Sequence, residues 1–154
     1  MNEQKTEMQA AEVQLKYKSR IPASHRVQIK CSMDAFRLFW TYWNKDTIEH
    51  HEEFKLLLLN NKNVVLGIAD ISKGGIGSTL VDTRILYEYA LKANSSGIIV
   101  AHNHPSNNPT PSESDVEITR KLTEAGIILN ICVLDHLIIC GDGSYISFGD
   151  EGRM

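Results

Sequence analysis

The sequence predicts an α/β fold, a single domain in which helices pack on one mixed sheet. Short runs rich in branched apolar residues, such as Val64 to Ile71 and Ile98 to Ala101, alternate with longer stretches of helical periodicity. Turn-forming clusters separate them, among them Asn60-Asn61-Lys62-Asn63, Asn94-Ser95-Ser96-Gly97 and Asp142-Gly143. The 154 residues, 42% hydrophobic and 23% charged, are enough to bury a core and short for two domains.

Residues 1–11 are polar and read as a flexible N-terminus, which leaves one domain over 12–154. Val13, Leu15 and Tyr17 alternate with polar residues, the pattern of a short strand or extended arm. Five Lys or Arg and no acid lie between Lys16 and Lys30. Such an arm could touch a DNA backbone, although a solvated arm is the simpler expectation. Ser32 stands where it can cap a helix whose Phe36, Phe39, Trp40 and Trp43 share one face. That aromatic stripe is expected to be core.

Phe54 to Leu59 reads as a buried strand, turned into a second strand over Val64 to Ile71. Gly74-Gly75 breaks the chain, and Val81 is expected to end a third strand. Asp82 or Thr83 then caps a helix with Leu86, Tyr89, Ala90 and Ala93 on one face. Ile98 to Ala101 is apolar throughout, as a central strand covered on both faces should be. A helix follows from about Glu113 to Ala125, with Gly126 placed to stop it. Ile131 to Leu134, Leu137 to Cys140 and Tyr145 to Phe148 are three further short strands, the last two joined at Asp142-Gly143.

Composition narrows the function classes. A net charge of −3 gives no overall attraction to nucleic acid or anionic membrane. No apolar run approaches the ~20 residues of a membrane helix, and the start, MNEQKTEMQAAEVQ, lacks the apolar core of a signal peptide. Cys31, Cys132 and Cys140 form no Cys-x-x-Cys pair, and Cys132 and Cys140 sit in apolar stretches as small hydrophobes. A cytoplasmic protein is expected. Its oligomeric state is not legible.

The chemistry concentrates in His102-Asn103-His104-Pro105-Ser106, followed by Pro111-Ser112 and Asp115. In extended backbone, residues i and i+2 face the same side, so both imidazoles can converge on one ion. Pro105 and Asn107-Asn108-Pro109 then turn the chain toward a helix beginning at Ser112. Asp115 falls in the first turn of that helix, where a carboxylate is favoured by the dipole and can reach back to the strand end. Two neutral imidazoles and a carboxylate are a three-ligand set that leaves zinc an open position for water. Each part also has a structural explanation. Ser112-x-x-Asp115 has the form of a capping box, and a lone His-x-His is commonly two surface residues. Capping and metal binding are compatible here.

These residues resemble the JAMM metal-binding motif of the MPN/JAB metalloprotease superfamily. The Asn and Ser within the motif, with Leu122, Gly126 and Asp135-His136 beyond it, resemble the bacterial RadC-like branch. The likeness covers nearly the whole chain from about Val13 and is most specific around 98–141. Longer members carry an N-terminal helix-hairpin-helix-like segment, for which this chain has no room, so a short bacterial form is expected. The resemblance implies a cytidine-deaminase-like α/β/α sandwich with zinc held by His102, His104 and Asp115. It also implies a serine that steadies an oxyanion, matched by Ser112, and an upstream glutamate base two residues before a strand phenylalanine. That glutamate is Glu52. Glu53 competes, but a regular strand turns it to the opposite face. Where the family usually has Gly after Pro-Ser, this chain has Asn107, a residue that tolerates the left-handed conformation. His136 is expected to be structural first and substrate-facing second, and His25, His50 and His51 to be surface residues.

The implied activity is zinc-dependent hydrolysis of a peptide or isopeptide bond in a peptide or protein substrate. Two other classes compete. RadC relatives bear a DNA-repair name, which admits a repair- or recombination-associated protein whose metal site serves nucleic acid. A catalytically silent, metal-bearing interaction module is the third. An HNH nuclease spreads its histidines and asparagine over a hairpin, unlike the consecutive residues here. A deaminase would need His-x-Glu followed by Pro-Cys-x-x-Cys, which is absent.

Overall fold

The computed structural model describes residues 10–14, 16–74 and 80–154. Within them run strands β1 (Glu53–Leu59), β2 (Val65–Lys73), β3 (Gly97–His104), β4 (Cys132–Cys140) and β5 (Tyr145–Ser147). Helices α1 (Ser32–Tyr42), α2 (Thr83–Lys92) and α3 (Glu113–Leu129) complete the fold, with a 3-10 turn at Ala23–His25. The strands form one sheet in the order β2-β1-β3-β4-β5. Only the β3–β4 pair is parallel, so the sheet is mixed as the sequence predicts.

Strand periodicity sorts the core into two layers. Phe54, Leu56 and Leu58 of β1 and Ile98 and Val100 of β3 pack against Leu86, Tyr87 and Ala90 of α2 and Leu122 of α3. Their odd-numbered neighbours Leu57, Leu59, Ile99 and Ala101 pack against Ala35 and Phe39 of α1, with Trp43 and Ile48 beyond its end. The result is an α/β/α sandwich with β3 central and buried on both faces. No helix among the described residues is long and apolar enough to cross a membrane.

Several expectations about the elements are corrected. Cys31, not Ser32, is the N-cap of α1 and makes no side-chain cap bond. The Ser32 hydroxyl instead donates to Asp150 Oδ2 at 2.5 Å, tying the helix start to the chain's end. The aromatic stripe is core as expected, with Phe39 and Trp43 buried and Phe36 stacked on Tyr145 at 4.4 Å. In α2, capped by Asp82, Tyr87 is buried and Tyr89 is exposed. The buried face of that helix is therefore Leu86, Tyr87, Ala90 and Ala93. Leu80 to Asp82 form no strand, and residues 75–79 lie outside the described residues. Leu15 does too, while Val13 and Tyr17 are in no strand. Cys140 is buried but Cys132 is exposed.

Gly126 does not stop α3. The helix continues to Leu129 and ends at Asn130, whose φ of 55° takes the left-handed cap position. Gly126 is where α3 comes closest to its neighbours: a Cβ there would lie 2.3 Å from the Ile131 carbonyl oxygen and 2.8 Å from the Tyr87 hydroxyl. The predicted strands at 131–134 and 137–140 are one strand, β4, running through Asp135 and His136. Its register against β3 slips between Ile98↔Val133 and Ile99↔Asp135, leaving Leu134 as the extra residue of a bulge.

Outside β2, the edge strand, the N-terminal arm runs alongside. Gln28 pairs with Val64, the Val65 N–H donates to the Val27 carbonyl at 2.8 Å, and the Tyr17 hydroxyl donates to the Leu66 carbonyl. The arm thus covers part of an edge that would otherwise offer unpaired backbone groups.

Candidate metal centre

His102 and His104 project from the carboxyl end of β3 toward the side of the sheet that carries α2 and α3. Phe54 pairs with His102 across the β1–β3 ladder, and its ring stacks on the imidazole at 6.0 Å. His102 is buried and His104 half-buried. Pro105 leaves the strand, and Asn107 closes the turn at φ 59°, with its N–H donating to the His104 carbonyl at 3.0 Å. Asparagine accommodates the left-handed turn that the missing glycine would have made.

The turn delivers the start of α3. Ser112 is its N-cap, and the capping box is complete: the Asp115 N–H donates to Ser112 Oγ at 3.2 Å, and the Ser112 N–H donates to Asp115 Oδ2 at 2.7 Å. The same carboxylate faces both imidazoles. His102 Nε2 is 3.1 Å from Asp115 Oδ1, His104 Nε2 is 3.3 Å from Asp115 Oδ2, and the two Nε2 atoms are 3.0 Å apart. Cap and convergence occur in one residue.

These separations fit a cation. Ligands at about 2.0–2.1 Å from a tetrahedral zinc lie about 3.3–3.4 Å from one another. The two Nε2 atoms, at 3.0 Å, and the distances from each to its nearer Asp115 oxygen, Oδ1 for His102 at 3.1 Å and Oδ2 for His104 at 3.3 Å, come within a few tenths of an ångström of that. His104 Nδ1 lies 2.6 Å from the Asn108 carbonyl oxygen, which can only accept, so the ring carries its proton there and turns a bare Nε2 inward when neutral. The set matches the residues expected for a metal, and His102, His104 and Asp115 could hold one ion.

The charges answer to one another. Burial pushes the Asp115 carboxyl up, but the hydrogen bonds of His102 and His104, the charge of His102 and the Ser112 N–H outweigh it and hold it well below the usual carboxylate range. For His104, burial pushes the imidazole down; hydrogen bonds to Asp115 and the Asn108 carbonyl, with the charges of Asp115 and Glu52, win and raise it. Behind His102 sits His136, fully buried, its Nε2 2.8 Å from His102 Nδ1. Burial first, and then the neighbouring His102, hold His136 well below its ordinary value and keep it neutral.

A cleft of about 630 Å³ opens over the cluster, lined by Glu52, Phe54, Val81, His102, His104, Ser112, Asp115 and Lys121 among others. The two acidic candidates for the base separate cleanly. Glu52 lines this cleft and is half-buried. Glu53 is buried on the opposite face, 3.0 Å from Lys55 Nζ and 3.0 Å from His51 Nε2, so His51 is a structural partner rather than a surface residue. Burial pushes Glu53 up, but its bond to Lys55 and the charges of Lys55 and Lys73 lower it overall.

Asn103, between the two histidines, faces away from the cleft and holds the Glu52 segment. Its Oδ1 accepts from the Glu53 N–H at 2.7 Å, and its Nδ2 donates to the carbonyls of Ile48 and His51 at 2.6 and 2.9 Å. The Lys18, Arg20, His25 and Arg26 side chains line a different groove of about 380 Å³ beside α1 and β2, sharing no residue with the cleft. The sequence missed Thr119, whose hydroxyl reaches both the Asp115 carbonyl and His136. Its position four residues beyond Asp115, on the same helical face, was the available signal.

A UPF0758 protein of Flavobacterium johnsoniae is 49% identical over 102 residues, which is 66% of this chain and 44% of that protein. One from Desulfitobacterium hafniense is 50% identical over 103 residues, 67% of this chain and 45% of its own length. A third, from Geotalea uraniireducens, is 47% identical over 107 residues, covering 69% and 46%. The chain thus spans less than half the length of these curated relatives. The model of the RadC-like JAB domain matches residues 29–153, which take in all five strands, all three helices and the whole His-His-Asp cluster. The chain belongs to the RadC-like JAB domain family.

Proposed function

We propose that this domain is a zinc-dependent hydrolase of peptide or isopeptide bonds. The observation that carries the reading is the convergence of His102, His104 and Asp115 at the floor of a cleft that also holds Glu52 and Ser112. A zinc ion held by the three would supply Lewis acidity and lower the pKa of water toward about 7. Glu52, at the cleft wall, takes a proton from the attacking water and passes it to the leaving amine. The Ser112 oxygen accepts from the Asp115 N–H, which leaves its hydroxyl proton for the developing oxyanion of the substrate. Asn103 keeps the Glu52 segment in register with the histidines.

Metal content and turnover test the proposal together. Purified protein should carry about one zinc, and a chelator should abolish cleavage of a peptide library that added zinc restores. Glu52→Gln should keep the metal and lose about 10²–10⁴-fold in rate, the usual contribution of a general base. Wild-type protein without stoichiometric metal, or Glu52→Gln with full turnover, would rule the assignment out. The basic groove supports a weaker second reading, DNA contact through the arm. Salt-dependent DNA binding lost on substituting Lys18, Arg20 and Arg26 would favour it.

A further inference from the structure

We infer that Thr119 and His136 are positioning residues that fix the tautomer of neutral His102, so that in that form a lone pair and not a proton points at Asp115 and His104. The consequence for metal affinity rests on the metal-centre reading above; the tautomer itself does not.

The assignment follows from where single protons can go. Thr119 Oγ1 is 2.6 Å from the Asp115 carbonyl oxygen, which can only accept, so the one hydroxyl proton is committed there. The same oxygen is 2.7 Å from His136 Nδ1 and must therefore accept from it. His136 is fully buried between the rings of Phe148, stacked at 4.8 Å, and Phe54, edge-on at 5.7 Å. It makes no carboxylate ion pair among the described residues, so in this apolar setting it carries one proton, and that proton is on Nδ1. Its Nε2 is then an acceptor, and the group it meets is His102 Nδ1 at 2.8 Å. His102 donates. In the neutral ring its Nε2 is then left bare, facing Asp115 at 3.1 Å and His104 at 3.0 Å.

The chain of hydrogen bonds runs from the Asp115 backbone carbonyl through Thr119 and His136 to His102, whose other ring nitrogen faces the Asp115 carboxylate. The β4 bulge makes this possible. With Leu134 as the extra residue, Val133 and His136 both face the α2 and α3 side, whereas an unbroken strand would turn His136 toward α1. Asp135 holds the strand in that register, accepting from the His136 and Gly149 N–H groups at 2.8 and 2.9 Å and from the Ser147 hydroxyl at 2.6 Å. A histidine that donates its second ring proton to a fixed acceptor is both oriented and made a more basic ligand.

Nitrogen-15 NMR of metal-free, histidine-labelled protein at mildly alkaline pH reads the tautomers directly. His102 and His136 should both show the proton on Nδ1. Thr119→Val, which keeps shape and removes the acceptor, should shift His102 toward a tautomer mixture. It should also weaken zinc binding about 10–100-fold in a competition titration. Thr119→Ser keeps the oxygen and should restore both signatures. A wild-type His102 protonated on Nε2 overturns the inference. So does Thr119→Val with unchanged tautomer and affinity, or Thr119→Ser as defective as Thr119→Val, which would make the effect one of packing. Wild-type protein that shows the Nδ1 proton on His102 but binds no zinc would sink the metal-centre reading and leave the relay standing.

Discussion

In the metal-free protein the Asp115 carboxylate and the His104 imidazole bias each other's protonation, and this coupling bears on stability. The sign of its effect follows from the two shifts. Asp115 is depressed, so its contribution to stability is present above the ordinary carboxylate value of 3.8 and lost as pH falls below it. His104 is raised, so its contribution is present below the ordinary 6.5 and lost as pH rises through the raised value. The contribution of this pair should therefore be largest between those values and fade as pH climbs past the imidazole range, read as the difference between wild type and Asp115→Asn in urea titrations made with chelator present. Buried His136, held low, acts with the opposite sign in both proteins. Zinc affinity should move the other way, rising with pH as the competing proton leaves. A wild-type advantage over Asp115→Asn that rises through the same interval would contradict the pairing. At this scale the sequence was informative wherever chemistry is local. His102, His104 and Asp115 were placed together by strand and helix periods and Ser112 by its capping position, whereas Glu52 came forward only through the family resemblance, with strand parity setting it apart from Glu53. Thr119 was not legible, because a threonine inside a helix carries no mark of its role until its partner across the fold is known.

The sequence foresaw most of the elements but not their ends. Gly126 was misread because a glycine after an apolar periodic run is the usual sign of a helix terminus, whereas here it marks a close approach. The two readings predict opposite results for Gly126→Ala. In an ordinary helix interior alanine is the better residue by ~1 kcal/mol. Here the added methyl would meet the Ile131 carbonyl, held in place because the Ile131 N–H bonds the Gly126 carbonyl at 2.9 Å. Gly126→Ala should destabilise by about 1–3 kcal/mol, visible as a lower midpoint in chemical denaturation. An equal or higher midpoint would mean that α3 can move off β4. Similarly, β4 was split in two because Asp135 and His136 interrupt an apolar run. The acid is accommodated by three hydrogen bonds, two of them from Ser147 and Gly149, and the histidine by the relay, so most of these partners are distant in sequence.

For the whole molecule, the α/β/α arrangement was readable from alternating strand faces and amphipathic helices. The strand order was not, since β1 and β3 are separated by β2 and α2 in the chain yet adjacent in the sheet. That adjacency sets the start of β1 beside the end of β3, which is how Glu52 meets ligands some fifty residues away. A centre assembled from such distant segments exists only in the folded chain, so a bound ion must stabilise the fold. Free zinc at 100 times its dissociation constant should add about 2.7 kcal/mol. In a domain of this size that raises Tm by roughly 5–10 °C. Calorimetry with and without chelator measures this, and His104→Ala should erase the difference. An identical Tm in both conditions would mean that no ion binds the native state.

The capping box at Ser112 and Asp115 narrows what evolution can do at one position. Glutamate would serve the box but its carboxylate would reach one methylene further, past the edge at which the two imidazoles now meet it. Asparagine would keep the helix start and remove the charge, and histidine or cysteine would offer a ligand and forfeit the cap. Two unrelated demands, one from the backbone and one from the cluster, overlap on a single side chain. Loss of either function would therefore loosen the position without freeing it, since the cap alone still admits aspartate, glutamate or asparagine and the cluster alone aspartate, histidine or cysteine. A descendant of this chain that had given up its chemistry could retain Asp115 for its helix alone, and the histidines would be the first residues to record the change.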